Sequence, residues 1–389
     1  MVSFEQYISR LTHRIMNRTT SYIVLTTINI PYLLEGYADN LERYGHKGEV
    51  GFIVVADLKT PPEAEEVVYR ISRRGFDSIY LSVEEQKKWL KPFPELEEII
   101  PYNSGNRRNI GYLIAVQRGA DMIIVIDDDS FVGEDDFFTG HKIVGSQEEL
   151  PTVSSSSGWF NVCSLLDTVP PRVIYPRGYP YSQRFKNEVI STSSEGGRIM
   201  INAGLWFEDP DVDAVTRLNE KVRTVALNTS RVTLAIGTWS PINTQNTAFH
   251  RELLACAYFV VMGVPIQGIA IDRYGDIWSG YFARKVIDSM GDKVAYGIPV
   301  TVHKRNPHNL LKDLQQELWG MILTEDLIEA LSSIRLTEKS YNSLYFELAH
   351  ALDKSVKQTN RVTPEVLSFL RQIAHNMKIW VDVCDRIMS

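Results

Sequence analysis

The 389-residue sequence predicts an α/β domain over residues 1–315 and a helical C-terminal extension over residues 316–389. Strand-like apolar segments alternate with amphipathic helical segments in the first third of the chain, which is typical of βαβ units. Polar residues directly follow these strands, and apolar residues recur every three or four positions near the end of the chain. Together these observations predict an open, Rossmann-like sheet with helices on both faces.

Each element of the first third has its own pattern. Four segments are apolar and rich in β-branched or aromatic residues, which predicts strands at 22–29, 52–56, 78–82 and 122–126. Amphipathic segments between them predict helices at 32–44, 62–74 and 106–118. Because strands and helices alternate, the sheet is expected to be parallel.

The rest of the chain changes character twice. Residues 150–200 show little regular pattern, which predicts a lid or binding loop. Residues after 201 have a mixed α+β pattern, and those after 310 a helical one. The last helix carries an apolar stripe that we expect to pack on the protein's own core and to contribute to a homodimer: Val366, Leu370, Ile373, Met377, Trp380, Cys384 and Met388.

Composition narrows the class of protein. The formal net charge is −7 without any Lys- or Arg-rich block, which argues against a nucleic-acid partner. The three cysteines are far apart and odd in number, which is typical of a reducing compartment. Residues 1–6 lack the start of a secretory signal, and no apolar run approaches membrane-spanning length. These features predict a cytoplasmic protein that is not inserted in a membrane.

The segment 122–129, Met-Ile-Ile-Val-Ile-Asp-Asp-Asp, ends a buried strand in three carboxylates. Alternate side chains of an extended segment share a face, so Asp127 and Asp129 project together and Asp128 points away. Like charges side by side need a cation, and Mn2+ or Mg2+ commonly joins carboxylates to phosphates. A solvated strand end whose Asp caps the next helix is the alternative that the triplet alone leaves open.

A metal held by carboxylates needs further ligands. His303 follows the strand-like segment 297–302, so it lies at a strand end like the triplet, although a single His there is more often structural. We therefore predict Asp129 and His303 as metal ligands, with Asp127 as a third and Asp128 as the alternative to it. The polar residues that follow, including Asn306 and Asn309, suit a diphosphate.

Further polar residues stand where ligands bind in open α/β sheets. Thr27, Asn29, Asp57 and Lys59 follow the first two strands and are candidates for holding base and ribose. Other candidates for nucleotide-sugar binding are Arg107 and Arg108 at a helix start, Asp127 and Asp128 of the triplet, and Asn246 in a polar loop. No Gly-x-Gly-x-x-Gly follows the first strand, so no flavin or NAD is expected.

Two more segments contain residue types that are suited to binding a sugar. The loop 175–184 contains Arg177 and Arg184 among prolines and tyrosines, which supply charge, stiffness and hydroxyls. An ordinary surface loop is the alternative, and this segment alone does not decide between the two. Asp276 precedes an aromatic helix, where it either caps the helix or faces a ligand.

These residues, in this order, resemble the reversibly glycosylated polypeptide family, which includes the UDP-arabinopyranose mutases. The resemblance covers about residues 20–320 and rests on the segments 127–129, 176–184, 204–206, 246–249, 273–278 and 303–310. It implies a GT-A-like nucleotide-sugar-binding domain in which an Asp-x-Asp element and a late His hold Mn2+ on the diphosphate. The helical tail after residue 320 lies outside it.

The resemblance also implies an activity: a metal-dependent, flavin-independent mutase that interconverts the pyranose and furanose forms of a nucleotide sugar. Arg177, Asp276 and Arg184 are then the catalytic candidates. In the family, an Arg matching Arg177 is linked to reversible glycosylation, but a guanidinium is a poor nucleophile at its normal pKa, so an electrostatic role is chemically safer.

Two departures bear on the substrate. The segment 106–111 reads more like bacterial GT-A enzymes than like the plant mutases, and Gly275-Asp276 has one acid where the plant pattern has two adjacent acids. The chain looks closer to bacterial flavin-independent pyranose mutases, some of which use GDP-linked sugars. These departures favour a GDP-linked hexose or 6-deoxyhexose, such as GDP-fucose, over UDP-arabinose. A GT-A glycosyltransferase with a separate acceptor, and a non-enzymatic self-glycosylating or nucleotide-sugar-binding protein, are the alternatives.

Overall fold

The computed structural model describes residues 19–186, 188–229, 231–356 and 361–389. Residues 1–6, on which the absence of a secretory signal was predicted, lie outside this range. None of the helices within it is both long and apolar enough to span a bilayer.

A large mixed sheet forms the centre of the molecule. Its first part is parallel, in the order β3-β2-β1-β4, as the alternation of strands and helices predicts. The strands of this part are β1 (Ser21–Thr27), β2 (Val50–Ala56), β3 (Ser78–Leu81) and β4 (Met122–Ile126). The carboxyl ends of β1, β2 and β4 therefore lie at one edge of the sheet, where ligands bind in such folds.

Helices cover both faces of this parallel part. Alternate residues of β1 lie in two separate apolar clusters: Ile23 and Leu25 pack with α1 and α2, and Tyr22 and Val24 pack with α5. The helices of the first half are α1 (Leu33–Arg43), α2 (Glu63–Arg73), α3 (Val83–Leu90), α4 (Pro94–Ile99), α5 (Arg108–Gln117) and α6 (Phe137–His141). The predicted α/β fold class is confirmed.

Mostly antiparallel strands extend the sheet beyond β4. They are β5 (Ser130–Val132), β6 (Gln147–Ser155), β7 (Leu166–Val169), β8 (Ile190–Glu208), β9 (Arg223–Leu227), β10 (Arg231–Leu234), β11 (Asn246–His250) and β14 (Lys293–His303). A separate hairpin contains β12 (Val264–Ile266) and β13 (Ile269–Ile271). The short β5 pairs with the end of β14, with Ser130 opposite His303. This register brings the aspartate triplet next to the late histidine.

The prediction that residues 150–200 lack regular structure is wrong at both ends of that segment. β6 extends to Ser155, and β8 begins at Ile190 and pairs with it. The paired half of β8 is exposed and rich in Ser, Thr and Gly, so no apolar alternation marks it in the sequence.

Helices dominate the second half of the chain from residue 310, as predicted. Helices α9 (Leu310–Ser333), α10 (Tyr341–Ser355) and α11 (Pro364–Met388) lie from this residue onward, and α7 (Ala214–Asn219) and α8 (Gly275–Met290) precede it. The stripe of α11 is buried in the same apolar cluster as α5 and α8, apart from the partly exposed Met388. Packing on the protein's own core is thereby confirmed. The predicted boundary at 315/316 falls inside α9, and the division into two domains stays a prediction.

Candidate active site

A cavity of about 190 Å³ lies beyond the carboxyl end of β4, between that strand, β14 and the start of α8. Five arginines and four aspartates stand among the described residues that line it. The lining residues are Arg108, Asp127, Asp129, Arg177, Asp211, Arg217, Thr244, Gln245, Phe259, Arg273, Asp276, His303, Arg305 and His308. This composition suits a ligand with both anionic and hydroxyl groups.

The three aspartates after β4 point in the directions that strand alternation predicts. Asp127 lines the cavity and accepts a hydrogen bond from Arg108 Nη2 at 2.9 Å. Asp128 faces away, where its Oδ2 accepts from Thr27 Oγ1 at 2.6 Å and from Asn29 Nδ2 at 2.9 Å. Burial raises the pKa of Asp127, and the charge of Asp129 adds to this while Arg108 opposes it. A cation near the pair would relieve this repulsion.

Asp129 and His303 form the candidate metal pair. Asp129 Oδ1 lies 3.3 Å from His303 Nε2, and Asp129 Oδ2 accepts from the Asn306 backbone N–H at 3.1 Å. His303 Nδ1 lies 2.6 Å from the carbonyl oxygen of Asp209, so Nδ1 carries the proton and Nε2 is directed toward the carboxylate. A histidine oriented in this way by its second nitrogen is the usual arrangement at metal sites.

The electrostatics of this pair favour opposite charges. Burial opposes ionisation of Asp129, but the hydrogen bond and charge of His303 outweigh it and lower the pKa of the carboxyl. Burial likewise opposes charge on His303, yet Asp129 raises the pKa of the imidazole. Within the described part of the chain, no group of three or more His, Cys, Asp or Glu side chains is arranged to hold a metal. The donor set therefore fits an ion that takes its other ligands from a diphosphate and water.

Arg177 lies between two buried carboxylates. Its Nε and Nη2 donate to Asp211 at 3.0 and 3.1 Å, and its Nη1 and Nη2 donate to Asp276 at 3.2 and 3.0 Å. Nη1 also donates to the carbonyl oxygen of Arg273. All five N–H donors of the guanidinium are thus directed at protein acceptors.

The charge state of Arg177 follows from this setting. Burial disfavours the cation, but the charges of Asp211 and Asp276 outweigh burial and hold the pKa of Arg177 well above its usual value. The same ion pair keeps the pKa of Asp211 low despite burial. A guanidinium held in this way has no free lone pair for nucleophilic attack and no spare donor for a substrate.

The local backbone explains how Arg177 reaches this position. Gly178 has φ +91°, and a Cβ there would lie 2.4 Å from the Ile277 side chain in the first turn of α8. The loop therefore approaches α8 closely only because residue 178 is glycine. Arg273 also has a positive φ, of 59°, and this turns its carbonyl toward Arg177.

Several residues of the cavity were not predicted from the sequence. Asp211 is the most consequential, since it holds Arg177 from the side opposite Asp276. The acidic segment 208–213 after an apolar run could have indicated it, as the triplet did. Thr244 Oγ1 accepts from Arg108 Nη1 at 2.8 Å, and Gln245 lies beside it.

Some predicted site residues lie near the cavity without lining it. Asn306 Nδ2 donates to Asp128 at 3.2 Å, which links the segment after β14 to Thr27 and Asn29. Asp57 is buried and accepts from the Ser104 backbone N–H at 3.0 Å, just before the arginine helix.

Other predicted site residues make contacts elsewhere. Arg184 pairs with Asp213 and stacks on Tyr181, with the guanidinium carbon 3.8 Å from the ring centre. Arg107 is fully buried against Gln86. Asn246 Nδ2 donates to the carbonyl oxygens of Leu205 and Pro299 inside the core. Asn309 caps α9, and Lys59 is exposed in a turn.

Comparisons with known proteins identify the family of the chain. A family model described as "Reversibly glycosylated polypeptide" matches residues 48–389, so the helical tail belongs to the matched region, contrary to the expectation from sequence. UDP-arabinopyranose mutase 1 of Arabidopsis thaliana is 30% identical over 292 residues, which cover 74% of each chain. A probable UDP-arabinopyranose mutase 1 of Pisum sativum is 29% identical, covering 74% of this chain and 73% of that one.

Among solved structures, the chain is similar to glucosyl-3-phosphoglycerate synthase from Mycobacterium tuberculosis in complex with Mn2+ and UDP-glucose. The identity is 14%, the TM-score is 0.34, and the match covers 82% of each chain.

Proposed function

The chain belongs to the reversibly glycosylated polypeptide family, and we propose that it is a metal-dependent, flavin-independent mutase that interconverts the pyranose and furanose forms of a nucleotide sugar. The expectation of an isomerase is confirmed at the level of the family, because its curated relatives are UDP-arabinopyranose mutases. The identity of the sugar and the base, and the need for a metal, are parts of the proposal.

The main support for the proposal comes from Arg177. It lies between Asp211 and Asp276, in the cavity that is also lined by Asp129 and His303. A cavity of about 190 Å³ is smaller than the roughly 300–1,000 Å³ of pockets for whole ligands. It suits the sugar, with the diphosphate at Asp129, His303 and Asn306 and the nucleoside toward Thr27 and Asp57.

The reaction breaks the bond between C1 and the diphosphate oxygen, and the diphosphate later returns to the same carbon. A divalent cation, when bound by Asp129 and His303, neutralises the diphosphate and makes it a better leaving group. Asp127 would add to the cation's ligands or hold the ribose. No flavin or NAD has a part in this scheme.

Between departure and return, the ring must exchange one oxygen for another. The hydroxyl that closes the furanose ring loses a proton and attacks C1, and the former ring oxygen leaves C1 and gains a proton. We assign both transfers to Asp276, whose carboxylate retains lone pairs beyond those used by Arg177. The positive charge that develops at C1 is stabilised by the two carboxylates that hold Arg177.

Arg177 then acts without forming a bond to the sugar. It stays positively charged and orients Asp276, while Arg184 fixes the loop that carries Arg177 through its contacts with Asp213 and Tyr181. This assignment differs from capture of C1 by the guanidinium, which would need a free lone pair.

For the substrate we propose a GDP-linked hexose or 6-deoxyhexose, such as GDP-fucose, rather than UDP-arabinose. The basis is the departure of the segment 106–111 and of Gly275-Asp276 from the plant pattern. A cytoplasmic location and a homodimer belong to the same proposal. The cysteines support the location, since Cys163, Cys256 and Cys384 are all free thiols.

Incubation of the pure protein with GDP- and UDP-sugars and Mn2+, without any acceptor, tests the proposal. A mutase yields a furanose nucleotide, identified by the NMR signals of its anomeric proton. A transferase yields only slow release of free sugar, and a binding protein returns the substrate unchanged. Either of the last two results would overturn the assignment.

A further inference from the structure

The polar loop before β11 is held in place from three directions. Asn243 Nδ2 donates to Asp211 Oδ2 at 2.8 Å, and the Asn243 carbonyl oxygen accepts from Thr247 Oγ1 at 2.7 Å. Thr244 accepts from Arg108, and Asn246 is anchored in the core. The side chains of Asn243, Thr244 and Asn246 are therefore all hydrogen-bonded to other protein groups.

Gln245 differs from these neighbours. Its backbone N–H donates to Asn243 Oδ1 at 3.2 Å, but its side-chain Oε1 is buried without a hydrogen-bond partner among the described residues. The residue as a whole is 8% exposed and lines the cavity. Of the buried polar atoms without a partner in the described part of the chain, this is the one whose residue lines the cavity.

A buried amide oxygen without a partner is unfavourable by about 1–3 kcal/mol. Native proteins rarely leave such a group unsatisfied unless a ligand or water completes it. The rigid loop prevents Gln245 from finding a partner within the protein by moving its backbone. The missing partner is therefore expected in the cavity.

The chemistry of an amide identifies that partner. A carbonyl oxygen needs a donor, so the acceptor-only oxygens of a diphosphate do not match it. A sugar hydroxyl does match, because it can donate to a carbonyl oxygen. We propose that Gln245 binds a hydroxyl of the sugar ring and is a specificity-determining residue of this site. This inference rests on the proposed function for the presence of a nucleotide sugar.

Replacement of Gln245 should affect the affinity for the nucleotide sugar and the affinity for the nucleoside diphosphate differently. Gln245 contacts the sugar but not the nucleoside diphosphate, so its loss weakens binding of the nucleotide sugar alone. Gln245→Met keeps the length and volume of the side chain and removes the amide. Loss of one hydrogen bond corresponds to about a tenfold increase in Kd.

Calorimetric titration in the presence of Mn2+ measures both affinities. The probes are the nucleotide sugar that the wild-type protein binds most tightly and the corresponding nucleoside diphosphate. Gln245→Met should weaken binding of the first about tenfold and leave the second unchanged. The matched control is Gln372→Met on the exposed face of α11, which should change neither.

Two results would overturn the proposal: unchanged affinity for the nucleotide sugar, or equal weakening for both probes. Gln245→Asn withdraws the amide by one methylene and should show the same difference between the two probes, so it carries the test if the Met variant does not fold. Because binding is measured without turnover, the result is separate from the mutase assay. Absence of a furanose product with wild-type protein would contradict the proposed function and leave this inference standing.

Discussion

Arg177 and Asp211 form a bidentate ion pair inside the protein, with Nε–Oδ1 and Nη2–Oδ2 distances of 3.0 and 3.1 Å. Both side chains are less than a tenth exposed. The other side of the same guanidinium is bound to Asp276, the candidate acid and base. The arrangement makes the geometry of Asp276 depend on Arg177.

Replacement of Arg177 by Lys should therefore impair turnover more than binding. Lys keeps the charge but has three donors instead of five, so it cannot bind both carboxylates through two hydrogen bonds each. We expect kcat to fall by about 100-fold, with the Kd of the nucleoside diphosphate unchanged. Arg172→Lys, at a surface pair with Glu220, is the matched control. Normal kcat in Arg177→Lys would show that the planar geometry is irrelevant.

Metal dependence can be tested at Asp129 and His303. EDTA should abolish activity and Mn2+ or Mg2+ should restore it. Asp129→Ala and His303→Ala should each weaken Mn2+-dependent diphosphate binding by about 100-fold, measured by titration calorimetry. The exposed His375→Ala on α11 serves as the control. Full activity in a metal-free preparation would rule out this part of the account.

Helix α9 should influence catalysis through Glu317. This buried carboxylate accepts from Arg273 Nε at 3.0 Å and from the Ala214 backbone N–H at 2.7 Å, and the Arg273 carbonyl accepts from Arg177. Glu317→Gln removes the charge that holds Arg273. We expect kcat to fall by about 10- to 100-fold with little change in KM.

A loss of stability alone must be separated from this effect. Ser340→Ala removes the N-cap of α10 away from the cavity and should lower Tm without lowering kcat. If Glu317→Gln matches this control in both Tm and kcat, Glu317 has no positioning role.

His141 predicts a specific dependence of stability on pH. Its ring is fully buried, with Nε2 3.2 Å from Asn246 Oδ1 and Nδ1 3.1 Å from Asn202 Nδ2. Burial lowers its pKa from 6.5 to about 3. Below pH 6.5 the unfolded chain binds a proton that the folded protein does not, so the stabilisation is complete above pH 6.5 and is lost as pH falls toward 3.

Urea unfolding between pH 7.5 and pH 5 measures this dependence. His141 should contribute a slope of at most about 1.4 kcal/mol per pH unit below its unfolded pKa, and His141→Gln should remove that contribution. The exposed His350→Gln should keep the wild-type slope. Equal slopes for wild type and His141→Gln would contradict the assignment.

Local patterns predicted the parts of the site that depend on one segment. Strand alternation predicted the opposite directions of Asp127 and Asp128, and the apolar run before them predicted β4. The pairing of β5 with β14, which places Asp129 beside His303, depends on the folded sheet and could only be inferred from the need for a metal ligand.

Sequence could not decide which polar side chains face the cavity. Asn246 and Arg184 have the residue types of a binding site, yet both bind other parts of the protein. Asp211 does face the cavity, but its partner Arg177 is distant in sequence and joins it only through the fold. Gln245 could not be predicted either, because a buried oxygen without a hydrogen-bond partner is recognised only in the folded structure.

In the proposed reaction the sugar leaves the diphosphate at C1 and returns to it within one site. Phosphorus NMR of a nucleotide sugar labelled with oxygen-18 in the C1–O–P bridge tests this directly, in the presence of Mn2+ and without acceptor. We expect the label of the recovered nucleotide sugar to be shared between the bridging and non-bridging oxygens of the β-phosphate. Furanose formation with the label still entirely in the bridge would contradict it.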